Sequence, residues 1–131
     1  MIYPGTCTLL KPAHREAESS ALRAWLLSSP TENRRVSSAP AEVEAARALR
    51  RSGPEALPRL PGLLAAFGLV ETDQAVRRRA AACPDPLLRS LDAIHLATAE
   101  EIRPEPSAFV TYDKRLAAAA MGIVLPVVAP S

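Results

Sequence analysis

The sequence predicts an α/β fold with a central, mainly parallel β-sheet flanked by helices on both faces. Short apolar segments alternate along the chain with longer segments of helical periodicity, the pattern of βαβ units. Hydrophobic residues make up 48% of the chain and aromatics only 4%, so the core must be built from Ala, Leu and Val. The 131 residues carry no internal repeat and no long linker, so residues 1–131 are expected to form one domain.

Taken in order, Met1 to Tyr3 reads as a first strand that turns at Pro4 and Gly5. Glu16 to Ser29 follows as a helix, with Ala21, Leu22, Trp25 and Leu26 at helical spacing and Trp25 as a core anchor. Val36 to Ser38 can form a second short strand. Ala41 to Arg51 is an Ala-rich helix stopped by Ser52, Gly53 and Pro54. Glu55 to Phe67 is helical in composition but interrupted by Pro58 and Pro61, since a proline inside a helix costs roughly 3 kcal/mol. Gly68 to Glu71 reads as a strand, and Asp73 can cap a helix running to Ala82. Cys83 to Leu87 is a proline-bearing loop. Ser90 can cap a helix to Ile102, Ala108 to Thr111 is a strand, Asp113 to Met121 a helix and Leu125 to Ala129 a last strand.

The net charge of +2 permits an acidic partner such as nucleic acid without requiring one. Cys7 and Cys83, the two cysteines, match no metal-binding or disulfide spacing and suit a reducing cytosol. No apolar run reaches the ~20 residues needed to span a bilayer. The chain also opens without a basic stretch followed by an apolar one, so a cytoplasmic location is expected.

Parallel sheets bind ligands at the carboxyl ends of their strands, which directs attention to the acids that fall there. Asp113 follows the strand Ala108 to Thr111 and opens a helix, as a site acid or as an N-cap. On the helix from Ser90, the residues Leu91, Ile94, His95, Thr98 and Ile102 share a core face, while Asp92 lies on a second strip with Leu96 and Ala99. A half-buried carboxylate there needs a partner or a metal, unless it simply answers the helix dipole. His95, on the core face, reads as a hydrogen-bonded core histidine. Glu44 has Arg47 and Arg51 on its helical face, which suggests a surface ion pair or a metal-directed acid with arginines for phosphate. Arg77, Arg78 and Arg79 fan around their helix and read as a solvated face.

Three phrases resemble the PIN domain, in particular the ribonuclease toxins of the VapC type from type II toxin–antitoxin systems. Ser38-Ala39-Pro40-Ala41-Glu42-Val43-Glu44 resembles the family's second acidic motif, with Pro40 in place of a usual Leu. Leu88-Arg89-Ser90-Leu91-Asp92-Ala93-Ile94-His95-Leu96-Ala97-Thr98-Ala99 resembles the third nearly letter for letter, and Phe109-Val110-Thr111-Tyr112-Asp113-Lys114-Arg115-Leu116 the fourth. The resemblance implies a PIN-like fold, an endoribonuclease activity and a Mg²⁺ or Mn²⁺ site formed by Glu44, Asp92 and Asp113, with Thr111 and Thr6 as supporting hydroxyls. It also implies a VapB-type antitoxin partner, an RNA substrate and a homodimer; the lack of a long apolar run separately leads one to expect no membrane association. Hard divalent cations prefer carboxylate oxygen, and a bound cation relieves the mutual repulsion of clustered acids.

The first motif departs from this pattern. Met1-Ile2-Tyr3-Pro4-Gly5-Thr6-Cys7 places Gly5 where the family has its first aspartate and Cys7 where a serine is common, and Pro12 falls where the family has an apolar helix residue. Gly5 brings no ligand, so the site is expected to lack one acid. The alternative function is therefore a catalytically inactive PIN-fold module that binds antitoxin or RNA without cutting. A phospho-receiver is disfavoured, because the stretch from Pro4 to Leu10 contains no acid.

Overall fold

The computed structural model describes residues 2–4, 19–28, 35–102, 108–123 and 125–130. Gly5, Thr6, Cys7 and Pro12 lie outside the described residues. Five short strands alternate with helices as the sequence leads one to expect: β1 (Ile2–Pro4), α1 (Ser19–Ser28), β2 (Val36–Ser38), α2 (Pro40–Ser52), a 3₁₀ turn (Leu57–Arg59), α3 (Leu60–Ala65), β3 (Gly68–Val70), α4 (Gln74–Ala81), α5 (Ser90–Glu101), β4 (Ala108–Val110), α6 (Lys114–Gly122) and β5 (Val127–Val128).

Among the described residues, every strand pairing is parallel. One ladder runs β1-β4-β5, with Tyr3 opposite Phe109 and Val110 opposite Val128, and the other pairs β2 with β3, Ser37 opposite Leu69. The two ladders meet at β1 and β2, where the Ser37 hydroxyl donates to the Pro4 carbonyl at 3.4 Å. In a parallel ladder the N–H and C=O of one residue face the same neighbour. The Pro4 carbonyl faces β2, so the donor that proline lacks is missing from this same seam. Among the described residues the parallel sheet thus comprises two ladders that meet at β1 and β2.

The strand side chains divide by parity. Phe109 of β4 points with Tyr3 into the larger core, against Ala93, Leu96 and Ala99 of α5 and Leu116 and Ala120 of α6. Ala108 and Val110 point to the opposite face, against Leu22 and Trp25 of α1, so Trp25 does anchor a core. A third cluster packs Ala45 and Leu49 of α2 on Ala56, Leu57, Leu60 and Leu63.

The unusual prolines find permissive positions. Pro40 opens α2, and Pro58 and Pro61 lie in the opening residues of the 3₁₀ turn and of α3, where a missing N–H costs nothing. Gly53, at φ 120°, ends α2 in a conformation that residues with a Cβ avoid. Asp73 caps α4 as expected, its Oδ1 accepting from the Val76 N–H at 2.9 Å. Asp73→Ala should cost about 1 kcal/mol, measured by urea unfolding, because that N–H loses its acceptor. Ser90 is not a cap: it is the first residue of α5, and Arg89 takes the cap position without a side-chain bond.

The expected one-sided burial of α5 is also corrected. Leu91, placed on the core face, is 43% exposed, whereas Leu96 and Ala99, placed off that face beside Asp92, are core residues. The helix is enclosed by α4, α6 and β2 together, so its second half is buried on several sides. Arg79, from the basic run, ties α4 to α5 through Glu100 at 2.8 Å and Glu101 at 3.1 Å.

Candidate metal centre

Asp92 sits in the first turn of α5 and Asp113 immediately before α6, at the end of the chain's passage out of β4. Both line one open depression of about 300 Å³, together with Leu87, Arg89 and Arg115. The Asp92 side chain is 21% exposed, and its Oδ2 meets the Arg89 Nε at 3.3 Å. That arginine is itself largely in solvent, so the pair is a weak constraint on either side chain. Arg115 reaches back to the Leu87 carbonyl at 3.2 Å, which holds a second guanidinium at the rim.

Asp113 caps α6, its Oδ1 accepting from the Leu116 N–H at 2.8 Å. Thr111 is buried, and its hydroxyl oxygen accepts from the Asp113 N–H at 3.1 Å. Its own N–H donates to the Val128 carbonyl at 3.1 Å. Thr111 thus fixes the turn that presents Asp113 and does not line the depression itself.

Glu44, on α2, is not among the residues that line this depression. Its Oε1 meets the His95 Nε2 at 2.7 Å, and the other ring nitrogen, Nδ1, meets the Tyr3 hydroxyl at 2.8 Å. This replaces the surface pairing with Arg47 and Arg51 that helical spacing suggested. His95 is buried, as a core histidine bonded at both nitrogens should be. Since His95 lies one turn after Asp92 on α5, the helix links the Glu44 contact to the depression that holds Asp92 and Asp113. The role of Tyr3 is not visible in its own sequence neighbourhood, because the residue it serves is 92 positions away.

The acids Asp92 and Asp113 offer only carboxylate oxygen, the donor that hard divalent cations take. Among the described residues, no three acid, histidine or cysteine side chains converge closely enough to hold a metal ion. Two of the expected acids share the depression, the third is bonded to His95, and positions 5 and 6 are outside the described residues.

A family model of the PIN domain matches residues 2–121. The chain belongs to the PIN-domain family. It is 50% identical to ribonuclease VapC35 of Mycobacterium tuberculosis over 133 aligned positions, covering 99% of this chain and 97% of that protein. Among solved structures, a toxin–antitoxin complex from Klebsiella pneumoniae superposes with a TM-score of 0.72 at 21% identity, covering 100% of this chain and 98% of that one. Mycobacterium tuberculosis VapC20, described as a toxin cleaving the sarcin–ricin loop, superposes with a TM-score of 0.74 at 15% identity, covering 91% and 95%. At such identities the two structures speak for the fold alone, and the full-length match to VapC35 identifies the chain as a VapC-type PIN protein. Among the described residues, no helix is long and apolar enough to cross a membrane.

Proposed function

We propose that this chain is a metal-dependent endoribonuclease acting as the toxin of a type II toxin–antitoxin pair, with Asp92 and Asp113 at the centre of its site. The observation that carries the site is the convergence of these two acids, from separate elements, on one depression rimmed by two arginines. The full-length similarity to a VapC ribonuclease carries the activity. Asp92 and Asp113 would hold Mg²⁺ or Mn²⁺, with Glu44 as the third acid. Such an ion lowers the pKa of a bound water and offsets charge on a phosphodiester.

The protein's own contribution is positional. Thr111 and the α6 cap set the Asp113 carboxylate, and the first turn of α5 sets Asp92. The Arg89 and Arg115 guanidiniums suit the backbone phosphates of an RNA strand, since their planar forks match phosphate oxygens. A single-stranded or looped RNA suits an open depression better than a duplex, whose base edges are hard to reach. A VapB-type antitoxin is the expected partner, in keeping with the toxin–antitoxin complex that shares this fold, and the toxin is expected to form a homodimer in the cytoplasm.

A second reading is favoured by one specific feature: Gly5 stands where the first acid of the motif is expected. The chain would then bind antitoxin or RNA without cutting. Calorimetric titration with Mn²⁺ and cleavage of total RNA, on this chain and on Asp92→Asn, test the site. Loss of one carboxylate ligand should weaken Mn²⁺ binding by at least about tenfold and reduce cleavage with it. Equal Mn²⁺ affinity in the two proteins would remove Asp92 from the site, and binding without cleavage would favour the second reading.

A further inference from the structure

A hydrogen-bonded chain joins three side chains from three elements, Tyr3, His95 and Glu44. Tyr3 of β1 is fully buried, with its ring stacked on Phe109 at 5.3 Å between centroids and 7° between planes. The same ring meets His95 of α5 edge-on, at 5.9 Å and 74°. The Tyr3 hydroxyl is 2.8 Å from Nδ1 of His95, and Nε2 of His95 is 2.7 Å from Oε1 of Glu44 on α2. A carboxylate oxygen accepts, so this contact suits an Nε2 that carries a proton. A neutral ring with Nε2 protonated presents Nδ1 as an acceptor, and the Tyr3 hydroxyl supplies the matching donor. Burial pushes the Tyr3 phenol well above its ordinary pKa, which keeps that donor in place.

We propose that His95 is the positioning residue of the acid site, clamped by Tyr3 on one nitrogen and fixing the carboxylate of Glu44 with the other. The inference rests on the reading of Glu44, Asp92 and Asp113 as one cation site. His95 touches no substrate and holds no ion. It decides where the Glu44 carboxylate lies relative to Asp92, one turn earlier on its own helix. Without it, the Glu44 carboxylate would lose the ring N–H that fixes its Oε1. The rigid stack on Phe109 passes the position of β4, the strand that leads to Asp113, to the histidine that sets Glu44. One aromatic pair thereby ties two of the acids to a common frame.

The experiment combines Mn²⁺ calorimetry with nitrogen NMR of the histidine rings in metal-free protein, on the full chain and in a Gly5→Asp background. NMR should find the His95 ring in the tautomer protonated at Nε2. A ring protonated at Nδ1 alone would overturn the proposal without any metal being involved. His95→Leu should weaken Mn²⁺ binding by about ten- to a hundredfold, the range for partners that orient a ligand. His95→Gln, whose amide nitrogen can occupy the Nε2 position and donate to Glu44, should recover most of that loss. A purely structural role for the histidine predicts no such rescue. Tyr3→Phe, which keeps the stack and deletes only the hydroxyl, should weaken binding in the same direction by less, and it decides the matter if His95→Leu does not fold. Folded His95→Leu or Tyr3→Phe with unchanged affinity overturns the proposal, as does His95→Gln binding no better than His95→Leu. Asp92→Asn separates the two levels: if it weakens binding and His95→Leu does not, only the positioning role is lost. If neither variant matters, or no Mn²⁺ binds in either background, the cation site itself is lost.

Discussion

Asp113→Asn should leave the protein folded and nearly as stable, yet weaken Mn²⁺ binding at least about tenfold and lower RNA cleavage in proportion. The contrast arises because Asp113 does two things that one substitution can separate. Its Oδ1 accepts the Leu116 N–H at 2.8 Å and so closes the open end of α6. Asparagine caps a helix about as well as aspartate, since its side-chain oxygen accepts the same bond. What asparagine lacks is the negative charge. That loss removes the favourable contact with the helix dipole, worth about 0.3–1 kcal/mol at an exposed terminus, and it removes the charge that a hard cation requires.

Thermal unfolding without metal should therefore show a drop of no more than about 1 kcal/mol. Calorimetry with Mn²⁺ should show the large effect. If Asp113 were only a cap, Asp113→Asn would change neither binding nor cleavage, and the acid would leave the proposed site. Asp113→Ala provides the complement: it loses cap and charge together, so it should be the less stable of the two variants while binding Mn²⁺ no better.

Much of this fold is legible in the sequence because its signals are local. The alternation of short apolar segments with helical ones marks all five strands, and Asp73 and Asp113 mark helix starts through a bond made within three residues. The acid pair was legible only through the words around it, since neither acid alone differs from a first-turn or capping residue. What could not be read depends on distant partners. Glu44 and His95 are 51 positions apart, and on its own helix Glu44 shows only Arg47 and Arg51. The core face drawn through Leu91 left out Leu96 and Ala99 because periodicity assumes a helix with one buried side, whereas α5 is covered by α4, α6 and β2. The meeting of the two ladders at β1 and β2 is a contact between segments 33 positions apart, which composition does not reveal.

Gly5→Asp is expected to raise Mn²⁺ affinity by about tenfold or more and to raise RNA cleavage with it. Gly5 is bonded to Pro4, the last residue of β1, and Pro4 pairs with Val110, the last residue of β4. Asp113 follows that same end of β4 by three residues. The motif resemblance assigns the family's first aspartate to position 5, so Gly5→Asp would restore an oxygen donor that this sequence lacks. The sign of its effect should depend on the metal. If the new acid joins the site, it adds repulsion in the absence of a cation, so the metal-free protein should become slightly less stable. With Mn²⁺ in excess the same charge strengthens binding, and a ligand that binds only the folded state raises stability by mass action. The gain in melting temperature on adding Mn²⁺ should thus be larger in Gly5→Asp than in the present chain. Cleavage by Gly5→Asp alone would mark the present chain as a binding module on a nuclease fold. Equal cleavage by both would mean that Glu44, Asp92 and Asp113 suffice, and that the first acid of the motif is dispensable in this protein.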